Sequence, residues 1–240
     1  RAVNTGAKVS ARVQTPGGKV EYEGTAQVDG VPGLAAPVDL QFMDTVGGVT
    51  GELFPTGQRV DRFEGVEVTC MDVAMPMVIA RAFDLGVRGN ETAAELDENQ
   101  ELLARMEAIR IQAGAAMGMG DVSKSVTPKF GLLSEAQNGG AATVRYFMPW
   151  NCHPTLAVTG SQCLAACLLC PGTVGEGFYA APNTAPVAMR LEHPMGQLAV
   201  TVNFTRDGSD FEMISAGLVR TARKLASGDV FVPGQVWQAG

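Results

Sequence analysis

Polar and apolar residues alternate from Val3 to Gln14, turn at Pro16-Gly17-Gly18, and alternate again from Lys19 to Tyr22. That pattern predicts a β-hairpin. Val38, Leu40 and Phe42 alternate with Asp39 and Gln41, which predicts another strand. The stretch from Gly47 to Gly57 is too rich in turn residues for an element and reads as a linker or binding loop. Gly65–Asp72 and Met77–Arg81 are strand-like, with a bend at Met75-Pro76 because Pro76 offers no N–H to a ladder. Thr92 and Glu95 fit a capping box, and Leu102, Leu103, Met106, Ile109, Ala113 and Met117 recur at helical spacing. Gly118–Gly120 ends that helix.

Phe130–Leu133 and Ala142–Met148 read as strands around the turn Asn138-Gly139-Gly140. A second helix is predicted from about Pro154 to Cys170. Strands follow at Ala188–Leu191, Leu198–Phe204 and Phe211–Ser215. The order is strands with two helices rather than repeated βαβ units, so the fold class is α+β. In the second helix Leu156, Ala157, Val158, Cys163, Leu164, Ala165, Ala166, Cys167, Leu168 and Leu169 cover every face. A helix apolar all round needs burial on all sides, which an antiparallel sheet wrapped around it would supply.

Hydrophobic residues make up 46% of the 240 and charged residues only 18%, which suits a packed globular chain and not a disordered one. The net charge of −7 comes without a basic stripe, so nucleic acid is not an expected partner. The longest uncharged run, from Pro154 to Gly175, is broken by Gly160, Ser161, Gln162 and Pro171, so no membrane span is expected. The five cysteines read as free thiols of a reducing, cytoplasmic compartment. No GxGxxG or P-loop is present, which argues against a nucleotide cofactor.

The candidate chemistry centres on Asn151, Cys152 and His153. Pro154 suits a first helical position, which would leave these three at the helix mouth, where free N–H groups and the dipole bind anions and lower a thiol pKa. Cys152 would then be a general acid or base; the plainer alternative is that Asn151 caps the helix and Cys152 is a small buried residue. Cys163, Cys167 and Cys170 share a helix face and invite a zinc site, but buried free thiols fit that apolar helix better. No metal is expected. Lys129 could hold a substrate carboxylate, against the alternative of an exposed strand-end lysine, and Arg145 stands in the same position. Met75, before Pro76, could reach a site.

Several segments taken in order resemble the PrpF-like isomerases. They include Asp29-Gly30-Val31-Pro32-Gly33, Leu53-Phe54-Pro55-Thr56-Gly57, Gly65-Val66-Glu67-Val68-Thr69-Cys70, Met75-Pro76 and Asp84-Leu85-Gly86-Val87. Met106-Glu107-Ala108-Ile109-Arg110, Gly120-Asp121-Val122, Pro128-Lys129, Cys152-His153 and the run from Gly217 to Arg223 continue the match. The resemblance implies a diaminopimelate-epimerase-like fold with one complete domain and part of a second. On that basis residues 1–57 end a first domain, 58–216 form the second, 217–233 return to the first, and 234–240 are a tail.

It also implies a cofactor-independent isomerase or tautomerase that shifts an allylic proton on a small unsaturated di- or tricarboxylate such as 4-oxalomesaconate. Cys152 would be catalytic, and Asn151, His153, Thr155, Met75 and Lys129 would bind the substrate. Relatives of this kind are often dimers, so a homodimer is expected. Family members carry an upstream Arg-Gly-Gly-Thr-Ser-Lys-type segment and an Asn-Cys-Gly-Asn-type helix mouth that this sequence lacks. The chain also opens at Arg1 with residues that already read as strand, which fits a fragment. A catalytically silent carboxylate-binding remnant and a methylaconitate-type cis-trans isomerase are the alternatives. An amino-acid racemase fits least, because no second helix-mouth cysteine is available.

Overall fold

The computed structural model describes residues 8–237. The expected strand residues Val3 to Ala7, the start of the first proposed domain and the last three tail residues lie outside them. Ten strands form one sheet in the order β1-β2-β10-β9-β8-β7-β6-β5-β4-β3. They are β1 Lys8–Val13, β2 Pro37–Met43, β3 Asp61–Phe63, β4 Val66–Asp72, β5 Pro76–Arg81, β6 Lys129–Ser134, β7 Ala142–Phe147, β8 Val187–His193, β9 Gly196–Asp207 and β10 Asp210–Thr221. The helices are α1 Ala93–Glu98, α2 Gln100–Ala116 and α3 Val158–Leu169.

The architecture is α+β, but the sheet is mixed and not purely antiparallel. The β5–β6 and β7–β8 contacts are parallel. The chain between β5 and β6 carries α1 and α2, and that between β7 and β8 carries α3, so each parallel pair is joined by a helical crossover. The predicted second strand at Lys19–Tyr22 does not form; β1 pairs with β2 instead.

Strands β4 to β7 are buried on both faces, which explains their nearly continuous apolar runs. Met71, Met77, Ile79, Leu133, Val144 and Tyr146 pack with α3. Val68, Cys70, Val78, Ala80, Phe130, Leu132 and Phe147 pack with Leu102, Met106, Ile109 and Ala113 of α2. Strands β8 and β9 have one buried face, where Met189, Leu191, Val200, Val202 and Phe204 join the α3 core. Helix α3 therefore touches β4, β5, β6, β8, β9 and β10, and every residue from Gly160 to Leu169 is buried.

The helix expected from Thr92 onward is two helices. Thr92 caps α1 with the full capping box, and Asn99 ends α1 and caps α2 through its Oδ1 on Leu102 N at 3.0 Å. The glycine-rich stretch from Gly47 is pinned rather than free. Buried Asp72 accepts from Val49 N, Thr50 N and Thr50 Oγ1 at 2.8–2.9 Å, and Leu53 O accepts from Asp72 N at 3.0 Å. Phe54 packs against the α3 core.

Candidate active site at the mouth of α3

Helix α3 begins at Val158, four residues later than the sequence pattern suggests, with Ala157 as N-cap. Pro154 therefore lies before the helix. His153 Nδ1 accepts from Thr155 N at 3.0 Å, closing a tight turn ahead of the helix. No side chain caps α3. Its first intrahelical bond runs from Ser161 N to Ala157 O at 2.8 Å, so the N–H groups of Val158, Thr159 and Gly160 precede the ladder. These amides, and the positive end of a twelve-residue helix, are the fold's natural acceptor site for an anion.

Side chains from three neighbouring strands meet this mouth. The β4–β5 turn passes through Ala74 at φ 61° and presents Met75. Met75 Sδ accepts from Tyr146 Oη at 3.2 Å and from Thr159 Oγ1 at 3.3 Å. The Tyr146 ring lies against Gly160, where a Cβ would collide with it. His153 packs edge-on to the same ring at 6.0 Å between centroids. Lys129 starts β6, beside Met77 in the parallel register, and its Nζ donates to Met148 O at 3.4 Å. The start of β5, the start of β6 and the end of β7 thus lie at one end of the sheet, together with the start of α3. Gly30 of the 29–33 loop approaches Thr155, since a Cβ on Gly30 would lie 3.9 Å from Thr155 Cγ2.

Two of these groups have shifted protonation. Burial, then Arg110, lowers the Lys129 ammonium pKa. Burial lowers the His153 pKa and favours the neutral ring, whose Nδ1 accepts from Thr155 N. Among the described residues Lys129 takes part in no salt bridge.

Cys152 does not stand at the helix mouth. After β7 the chain reverses through Met148–Asn151, with Met148 N bonded to Asn151 O at 2.9 Å, and Cys152 bridges back to Phe147. This places Cys152 in the α2 core, on the face of the sheet away from α3, and only 2% exposed. Its N–H donates to Asp97 Oδ1 of α1 at 2.6 Å. Burial pushes the thiol up to about 11, more than Arg145 pulls it down, whereas a helix mouth would lower it. Asn151 is exposed and caps no helix. Of the residues predicted from sequence, Met75, Lys129, His153 and Thr155 gather at this end of the sheet, and Asn151 and Cys152 belong to the turn beside it.

Arg145 faces the other side and donates to Glu91 O and Val144 O. Thr159, Gly160 and Tyr146 come together only in the folded chain. Their signal was the small polar triplet Thr159-Gly160-Ser161 interrupting an apolar run. Cys163, Cys167 and Cys170 are free and buried in α3 or at its end. Among the described residues no group of three or more His, Cys, Asp or Glu side chains is placed to hold a metal ion.

The family model described as PrpF protein matches residues 1–233. The Escherichia coli (strain K12) protein YbhH is 49% identical over 233 residues, covering 97% of this chain and 65% of its own. A Pseudomonas putida protein named 4-oxalomesaconate tautomerase is 41% identical over 234 residues, covering 98% of this chain and 64% of its own. A solved structure titled as that of methylitaconate-delta-isomerase superposes with a TM-score of 0.81 at 28% identity, over 94% of this chain and 63% of the other. The chain therefore spans just under two thirds of the length of these relatives.

Proposed function

This chain belongs to the PrpF family, and on that premise we propose that it forms one wall of the active site of a cofactor-independent isomerase acting on a small unsaturated polycarboxylate. The observation that carries the reading is the uncapped mouth of α3, with Thr159 in its first turn and Thr155, His153 and Lys129 at the same end of the sheet. The substrates named for a tautomerase and an isomerase among the relatives, oxalomesaconate and methylitaconate, are of this class. In an allylic proton shift a base removes a proton made acidic by a neighbouring carboxylate or carbonyl, and an acid returns one at the far end of the conjugated system. The negative charge of the enolate-like intermediate spreads onto carboxyl oxygens. The first-turn amides of α3 would hold one carboxyl group there, and their fixed dipoles strengthen as that charge develops.

Lys129 would bind a second carboxylate as a point charge. Thr155 and Thr159 would donate to the remaining oxygens, and neutral His153 would present Nε2–H while its Nδ1 is held by Thr155. Cys152 supports the turn that positions His153 and does not move the proton, because a buried thiol titrating near 11 is a poor base at neutral pH. The same reading divides the chain near residue 57 in a diaminopimelate-epimerase-like fold, with residues 58–216 forming a domain around α3. Residues 217–233 would return to the first unit, and the pairing of Gly217–Thr221 with β2 supports this.

The test is steady-state kinetics of the complete protein with 4-oxalomesaconate. Lys129→Ala removes a charged hydrogen bond of about 1.5–3 kcal/mol and should lower kcat/KM roughly 10- to 100-fold. Cys152→Ser should keep kcat within about threefold (~0.7 kcal/mol). Full activity in Lys129→Ala, or loss of activity in a folded Cys152→Ser protein, would move the chemistry to the other face of the sheet.

A further inference from the structure

Strand β7 sends Val144 and Tyr146 into the α3 core and Phe147 into the α2 core. By alternation Thr143 and Arg145 face away from α3. Arg145 is only 4% exposed. Its Nε donates to Glu91 O at 2.7 Å and its Nη1 to Val144 O at 2.8 Å. Other guanidinium donors are left over. Among the described residues Arg145 takes part in no salt bridge, whereas the equally buried Arg110 is held by Glu107. Burying a cation without an ion partner is costly, and an anion brought to it would offset that cost.

Arg145 lines a polar cleft of about 280 Å³ together with Asn90, Asn138, Thr143, Glu192 and His193. Glu192 does not serve as the missing partner. Its Oε1 accepts from Asn138 N and Gly140 N, and its Oε2 from Gln137 N and Thr143 Oγ1, all at 2.7–2.8 Å. Four donors fill its lone pairs. His193 Nδ1 accepts from Met195 N at 3.3 Å, which leaves Nε2–H as the free donor of the neutral ring. Burial lowers the His193 pKa most; Asp29 opposes this, and Arg145 and His153 add to it.

We propose that this cleft is a second binding site, taking a small carboxylate on the free Arg145 N–H groups with His193 and Asn90 donating beside it. Its size suits a ligand of a few heavy atoms rather than a drug-sized one. The charge balance selects a singly charged group. Arg145 already lies within charge reach of two carboxylates, Glu91 and Glu192, so a phosphate would bring more negative charge toward them than a monocarboxylate does. Arg145, Thr143 and Glu192 face away from α3, whereas His193, at the end of β8, lies within charge reach of His153.

The test is calorimetric titration of the complete protein with propionate, in the Lys129→Ala background so that the α3 mouth contributes little. One site is expected. Asn90→Asp places a negative charge on an exposed residue at the cleft and should weaken that site at least tenfold. Arg145→Lys should weaken it too, and inorganic phosphate at equal ionic strength should bind at least tenfold more weakly than propionate. Absence of propionate binding, an affinity unchanged by Asn90→Asp, or phosphate binding tighter than propionate would each overturn the proposal.

Discussion

Gly160 shows how one residue sets the candidate site. The Tyr146 ring occupies the space where any larger side chain at 160 would go, and that ring is also the surface on which His153 packs. Gly160→Ala must therefore push Tyr146 off α3 or lift the helix. Overpacking of this kind costs about 1–3 kcal/mol, so the thermal midpoint should fall, and His153 should lose its edge contact. A melting curve with a crystal structure of the variant checks both, and an unchanged midpoint would mean that the mouth is loosely packed. The sequence offered Gly160 only as an interruption in an apolar run. Nothing local says that a tyrosine fourteen positions earlier will fill that space.

At the scale of elements, the capping box before α1 was legible because it is made within four residues. Thr92 Oγ1 accepts from Glu95 N at 3.2 Å, and Glu95 Oε2 accepts from Thr92 N at 2.7 Å. Thr92→Ala should cost about 1 kcal/mol and lower the thermal midpoint by roughly 2–4 °C, readable by circular dichroism. A fall well below 1 °C would show that the cap adds nothing to tertiary packing. The start of α3 is not legible in the sequence, for the converse reason. Pro154 is an acceptable first helical residue, and only the bond from Thr155 N to His153 Nδ1 shows that the chain turns there before the helix begins. That shift of four residues moved the helix mouth away from Cys152 and onto Thr159 and Gly160.

For the whole molecule, partly and fully buried histidines and glutamates predict how stability follows pH. His153 and His193 have pKa values below their ordinary 6.5, chiefly through burial. The unfolded chain then binds more protons, so their contribution is complete above pH 6.5 and is lost as pH falls through the lower folded values. Glu91 and Glu192 are also lowered: burial raises both, but hydrogen bonds donated to each carboxylate outweigh it. Their contribution is present above 4.5 and lost as pH falls through the lower folded values. The midpoint should therefore decline in two stages on acidification, from below about pH 6.5 and again below about pH 4.5. His193→Gln should flatten the first stage. A midpoint that rises between pH 7 and 5 would contradict the assignment.

The sequence by itself determined most elements and their burial. Apolar runs in β4 to β7 required cover on both faces, and the all-round apolar α3 required a position inside the fold. These follow from local spacing, because side-chain period and hydrophobicity are properties of neighbouring residues. Only the tertiary structure decided which groups meet. The register of β5, β6 and β7 brings Met75, Lys129 and Tyr146 to the end of the sheet where α3 begins. The reversal at Met148–Cys152 turns Cys152 to the opposite face. Residues 84 positions apart become neighbours there, as Met75 and Thr159 do at 3.3 Å, through packing that no local pattern encodes.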